Sequence, residues 1–182
     1  LESGPGLGLA IVDDDLIAVT EPEDDDGNPE VHHVDVSDHT VDGVDGYPET
    51  LGHSGFVDIE TVDSSGTGYA IVSHGSDDLS KVAVATGSAS TESSDGSSAS
   101  GDDLITTADG SVLLAGGSAG VLRFLLSTNE LQMVIDDADG LEDVSAIGVL
   151  EDELWVADVG RAQFVSFLYD DSDGYPGDEE LE

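Results

Sequence analysis

The sequence predicts a nearly all-β domain in which one strand unit is repeated four times. Three observations carry that reading. Apolar residues fall in short alternating or continuous runs bounded by Gly, Asp, Ser and Asn, which is how strands and their turns are written. No stretch sustains a helical period. Comparable runs return along the chain, with second strands beginning near Leu16, Tyr69, Val112 and Leu154, a spacing of roughly 40 to 55 residues.

Each unit opens with a hairpin. Gly8 to Val12 pairs with Leu16 to Val19, Phe56 to Val62 with Tyr69 to Val72, Leu104 to Thr107 with Val112 to Ala115, and Val144 to Leu150 with Leu154 to Ala157. Polar turns such as Asp13-Asp14-Asp15, Asp109-Gly110 and Glu151-Asp152 close them. A third strand follows in each unit: Val31 to Val36, Lys81 to Ala85, Val121 to Leu126 and Gln163 to Leu168. Fourth strands are visible only at Leu131 to Ile135 and near the C-terminus. The whole chain, 1–182, is thus one domain of ordinary size, with units at about 7–50, 51–88, 102–138 and 141–182. The Ser, Gly and Asp-rich insert at 88–103 reads as a flexible acidic surface loop.

Units three and four superpose best, Ser111 to Leu126 lying over Glu153 to Leu168 as strand on turn on strand. These residues resemble the blades of β-propellers of the WD40-like and NHL-like kind. That resemblance implies a propeller of four blade units, which would form a small ring, half of a two-chain ring, or part of a longer one. A β-sandwich or jelly roll is the alternative, because about a dozen short antiparallel strands also describe that architecture.

Three Lys and Arg stand against 42 Asp and Glu, a formal net charge of −39. In dilute buffer such charge opposes compaction. Molar salt shortens the Debye length to about 3 Å, so the acidity fits a protein that requires high K⁺ or Na⁺, as in a halophilic archaeon. A disordered acidic segment is excluded by the 38% of apolar residues and their periodic placement. With so few cations, neither nucleic acid nor an anionic lipid surface is an expected partner. No apolar run approaches the length of a membrane span, so no membrane insertion is expected. Zero cysteines remove disulfides and thiolate chemistry. The chain opens at Leu1 without Met or a signal peptide, the pattern of a processed product or an excised segment.

Catalytic motifs do not appear: no nucleophile elbow, P-loop, dinucleotide fingerprint or zinc-protease helix is written here. Gly6-Leu7-Gly8-Leu9 leads into the first strand rather than into a phosphate-binding helix. Chance carboxylate pairs are everywhere in so acidic a chain, so none can be singled out as an acid and base. The five histidines are more informative, since His32, His33, His39, His53 and His74 all lie in the first two units. Their bland role is that of solvated or turn residues; their sharper one is as neutral imidazole ligands of a metal. His32 and His33 are neighbours on a strand and face opposite sides of the sheet, so at most one serves a given site. Asp-rich stretches at Asp24 to Asn28 and Asp170 to Gly174 offer oxygen donors to a hard cation, but read better as solvated turns.

A narrower likeness concerns Ile17 to Pro22, Tyr47 to Gly55 and Ser73 to Asp78. These phrases are similar to those of secreted propellers that act as zinc metallochaperones. The resemblance implies zinc as cofactor, with His53 and, as a weaker match, His74 among its ligands; the histidine pattern adds His33, so the expected zinc site is His53, His74 and His33. Where that family has an entry His-Gly, this chain has Leu7-Gly8. The expected function is a non-enzymatic binding or scaffold propeller, extracellular or on the cell envelope, with a protein partner or self-association. The alternative is a structural β-module of a haloarchaeal virion or cell surface, and a propeller lactonase or glycosidase ranks third.

Overall fold

The computed structural model describes residues 6–12, 15–20, 28–52, 56–64, 66–74, 78–93, 103–107, 110–118, 120–136, 139–170 and 175–180. These form four antiparallel sheets and no α-helix. The chain divides into two compact units, Leu1–Ser93 and Ser94–Glu182, each holding two sheets and therefore two of the four sequence repeats.

In the first unit, sheet one joins β1 (Gly6–Val12), β2 (Asp15–Thr20) and β3 (Glu30–Asp35), with the short strands β4 (Thr40–Val41) and β5 (Glu49–Thr50) both paired to β3. Sheet two is a meander of β6 (Phe56–Ser64), β7 (Thr67–His74), β8 (Asp78–Ala83) and β9 (Ala89–Ser93). In the second unit, sheet three contains β10 (Asp103–Thr106), β11 (Val112–Ala115), β12 (Val121–Leu125) and β13 (Glu130–Ile135). Sheet four contains β14 (Val144–Leu150), β15 (Glu153–Asp158), β16 (Gln163–Asp170) and β17 (Tyr175–Glu180). Every predicted hairpin and third strand is present, to within a few residues at the ends.

The insert read as a flexible loop is corrected at its start. Ala89–Ser93 is β9, which pairs with β8 from Val82↔Ala89 to Asp78↔Ser93. A run of Ser and Thr carries little apolar pattern, but an edge strand needs only its ladder hydrogen bonds and one covered face. Sheet one also finishes differently from the other three. Two short strands take the edge in place of one, because the chain reverses through Asp35 to His39 and again at Asp42 to Gly46.

Each unit has its own core. In the first, Val12, Ile17, Val19 and Val31 of sheet one pack with Ile59, Ala70, Val72 and Val82 of sheet two. In the second, Leu113, Ala115, Val121 and Ile135 of sheet three pack with Val144, Ile147, Leu154, Val156 and Phe167 of sheet four. Full burial of such a side chain stabilises by about 1.5–3 kcal/mol. The cross-strand register selects which face is buried. In β2, Ile17 and Val19 are fully covered whereas Leu16 and Ala18, on the other face, are only half-buried.

Gly46 and Gly87 let two stretches of backbone pass at van der Waals distance in the first unit. Gly46 has φ +99°, and a Cβ there would run into the Thr86 carbonyl. Gly46→Ala is therefore expected to lower the unfolding free energy by about 1–3 kcal/mol. Gly148→Ala, on an open sheet face with nothing within 4 Å of the added carbon, should stay within about 0.5 kcal/mol of the parent. Urea unfolding in molar KCl measures both.

Candidate functional site

The histidines of β3 are buried rather than solvated. Their environments differ because the pairing Ala18↔His32 and Ile17↔His33 turns them to opposite faces of sheet one. His32 Nδ1 lies 2.9 Å from Asp42 Oδ2 and its Nε2 lies 3.1 Å from Thr20 Oγ1. A carboxylate only accepts, so Nδ1 carries the proton and a neutral ring accepts the threonine hydroxyl at Nε2. Asp42 sits at φ +53° and holds the same strand twice more. Its Oδ1 accepts the His33 backbone N–H at 3.2 Å, and its own N–H donates to the His33 carbonyl at 2.7 Å.

His33 faces the core. Its Nε2 is 3.1 Å from Asp15 Oδ2, and its ring lies 5.4 Å from that of Tyr47. With Nε2–H given to the carboxylate, Nδ1 is a buried acceptor with no hydrogen-bond partner. Burial, followed by the charges of Asp15, Asp42 and Glu49, pushes the Tyr47 phenol up to about 12. It therefore stays protonated and donates to the Val84 carbonyl at 3.1 Å. His74, at the end of β7, is fully buried with Nε2 2.8 Å from Ser80 Oγ. Strand alternation puts it on the face of sheet two that carries Ala70 and Val72. His33 and His74 thus both belong to faces that build the core of the first unit. Among the described histidines, His39 alone keeps the expected turn role, exposed at φ +62°.

Among the described residues, no group of three or more His, Asp or Glu is arranged to hold a metal ion. Of the expected zinc ligands, His53 lies outside the described residues, while His33 Nε2 is bonded to the Asp15 carboxylate and His74 Nε2 to the Ser80 hydroxyl. The bare Nδ1 of His33 has the chemistry of one ligand, not of a site. The Asp-rich stretches considered for a hard cation, 24–28 and 170–174, fall outside the described residues except for Asn28 and Asp170, the last residue of β16.

Two buried polar groups in the second unit escaped notice in the sequence. Arg123 stands inside the apolar run of β12, and its Nε donates to Ser111 Oγ at 2.9 Å, which in turn bonds Thr107 Oγ1 at 2.8 Å. An arginine within a strand otherwise written Val, Leu, Phe and Leu was the available signal. Asp158, at the end of β15, is the one acid among the described buried residues. Burial pushes its carboxyl up, but the N–H groups of Asp143, Arg161, Gln163 and Glu142 outweigh that and hold it below the ordinary value. It ties the approach to β14 to the turn after β15.

The remaining unusual geometry is on the surface. On the outer face of sheet four the register aligns Ala146, Gly148 and Leu150 with Ala157, Trp155 and Glu153, and these with Phe164, Ser166 and Leu168. Phe164 is 78% exposed, Leu150 66% and Trp155 40%. On the outer face of sheet one, Leu9 and Ile11 oppose Ala18 and Leu16, which oppose His32 and Val34, with Val41 beyond. Leu9 and Ile11 are 68% and 70% exposed. Among the described side chains, the face of sheet four carries Glu153, and that of sheet one carries Glu30 and, bonded to His32, Asp42.

No protein-family model matches the sequence, and no curated protein matches it. Solved structures do resemble it. Virginiamycin B lyase from Staphylococcus aureus aligns with a TM-score of 0.65 at 11% identity, over 92% of this chain and 57% of that one. An extracellular domain from Bacteroides thetaiotaomicron, described as part of a hybrid two-component system, aligns with a TM-score of 0.59 at 10% identity, over 96% and 23%. An auxiliary nutrient binding protein from the same species gives 0.55 at 13% identity, over 95% and 40%. This chain spans less than two thirds of the length of each. At such identities the likeness shows the fold, which is of the β-propeller type with four blade-like sheets and not a sandwich.

Asp158 sets a pH dependence of known sign. Because its folded value is depressed, its contribution is fully present above the ordinary carboxyl value of about 3.8 and is lost as pH falls through the folded value. Asp158→Asn should therefore be less stable than the parent at pH 7, and the gap should close below about pH 3.8. Paired urea titrations at constant molar KCl, from pH 7 to 2.5, read that difference.

Proposed function

We propose that this chain is a non-enzymatic binding scaffold of the propeller type, working in concentrated salt at a cell envelope or outside the cell of a halophilic archaeon. The observation that carries the reading is the outer face of sheet four, where Leu150, Trp155 and Phe164 stand exposed. A surface that otherwise relies on charge for hydration gains nothing from exposed aromatic rings unless something covers them. The hydrogen-bonded polar groups do other work. His32, Asp42, Arg123 and Asp158 fasten strands and turns to one another.

Location and habitat are supported less directly. One structural neighbour is named an extracellular domain and another a nutrient binding protein. The charge of −39 supports molar salt, where screening and water-ordering anions favour compact states. The lyase neighbour, at 11% identity, lends no activity to this chain.

An apolar probe tests the reading. At micromolar protein in molar KCl, anilinonaphthalene sulfonate is expected to bind beside Trp155, the only tryptophan, and to quench it by energy transfer. Phe164→Asp should weaken that binding by about tenfold or more, equivalent to about 1.4 kcal/mol. Probe binding that is absent, or indifferent to Phe164→Asp, would discard the face as a binding surface.

A zinc-binding scaffold is the second reading, favoured by the bare Nδ1 of His33 in the core of the first unit. Calorimetry with zinc in molar KCl decides it. Stoichiometric binding that disappears in the His53→Ala, His74→Ala double variant supports a centre at those residues with His33. Heat of dilution alone sinks it.

A further inference from the structure

The outer faces of sheets one and four differ in kind, and the difference follows the register. Counting along the second strand of each blade from its hairpin turn, β2 begins at Asp15 and β15 at Glu153. In β2 the residues two and four places on, Ile17 and Val19, pack toward the following sheet, and those one and three places on, Leu16 and Ala18, are turned outward. In β15 the assignment is reversed. Leu154 and Val156, one and three places on, pack toward the preceding sheet, while Trp155 and Ala157 are turned outward. Sheet one therefore meets sheet two through its even-numbered face, and sheet four meets sheet three through its odd-numbered face. Sheet one has its odd face open, and sheet four has its even face open. These are the two halves of the contact that stacks blade on blade within each unit.

Their chemistry matches as well. Leu9, Ile11, Leu16, Val34 and Val41 offer aliphatic cover on one side, and Leu150, Trp155, Phe164 and Leu168 offer larger groups on the other. Nothing covers Gly148, so the second face has a shallow gap beside Trp155. Contact between like-charged copies is most feasible where the touching surfaces are apolar, and the most exposed described groups of these two faces, Leu9, Ile11, Leu150 and Phe164, are apolar.

We infer that sheet four of one copy docks on sheet one of a second copy of this chain, the outer face of each covering the other as one blade covers the next. The inference rests on the scaffold reading above and names its partner. The contact is head to tail, because the two surfaces are different patches. It is salt-dependent, because two chains of −39 repel until screened.

Sedimentation equilibrium of the 18.7 kDa chain tests this. In molar KCl the mass should be twice that of the chain or a higher multiple, falling toward one chain in 0.1 M KCl. The emission of Trp155 should shift to shorter wavelength as concentration rises, since association dries it. Ile11→Asp and Phe164→Asp should each give monomers in molar KCl with unchanged far-ultraviolet dichroism. Mixing the two should restore dimers, because each variant keeps the face that the other has lost. A parent chain that is monomeric at every concentration in molar salt overturns the second copy as partner. If the apolar probe still binds at Phe164 in that monomer, the scaffold reading stands and its partner is another protein or further blades. A parent dimer untouched by either variant, or variants that do not complement, overturns the pairing of these faces.

Discussion

Sheet-on-sheet packing of apolar faces is the constraint on which everything else here depends. A strand that alternates polar and apolar residues asks for one neighbour, but β7 and β11 are buried on both faces. Such strands are stable only in the interior of a stack. Those strands belong to sheets two and three, whereas sheets one and four carry exposed apolar groups on an outer face. The repeat in the sequence thus specifies a contact as much as a fold. Within each unit that contact is made once, sheet one on sheet two and sheet three on sheet four.

Polar interactions serve this stacking by fixing where strands begin and end. The chain has three Lys and Arg for 42 carboxylates, so acids find their partners in backbone N–H groups. Asp42 holds His33, Asp35 holds Ser37 and Asp38, Asp63 holds Gly66, Asp103 holds Ile147, and Asp158 holds Asp143 and Arg161. Such charge-assisted bonds are stronger than neutral ones and need no cation. Surface ion pairs contribute little beside them. Arg161 and Glu142, 3.8 Å apart and exposed, are of the kind worth at most about 1 kcal/mol.

The strands were legible because burial on one or both faces leaves a period of two, or a short apolar run, that no other element produces. The edges were not. β9 is written Ala-Ser-Thr-Glu-Ser, and β4 and β5 have two residues each, so ladder bonds rather than composition define them. The opposed directions of His32 and His33 followed from strand geometry alone. Their burial did not, because it depends on Asp42 and Tyr47, which arrive from turns 10 and 14 residues further on. Arg123 and Asp158 were hidden for complementary reasons, one as a stray cation in an apolar run and the other as one acid among many.

The sequence by itself determined the strand period, the fourfold repeat, the hairpins and the charge, because each is a property of neighbours along the chain. Only the tertiary structure decided which face of each sheet is covered. That choice depends on register between strands and on what stands across a gap of about 10 Å, neither of which is written locally. The same decision turned three histidines from surface candidates into buried fasteners. It also moved the functional interest from the imidazoles to Trp155 and Phe164, two aromatic residues whose exposure no local pattern announces.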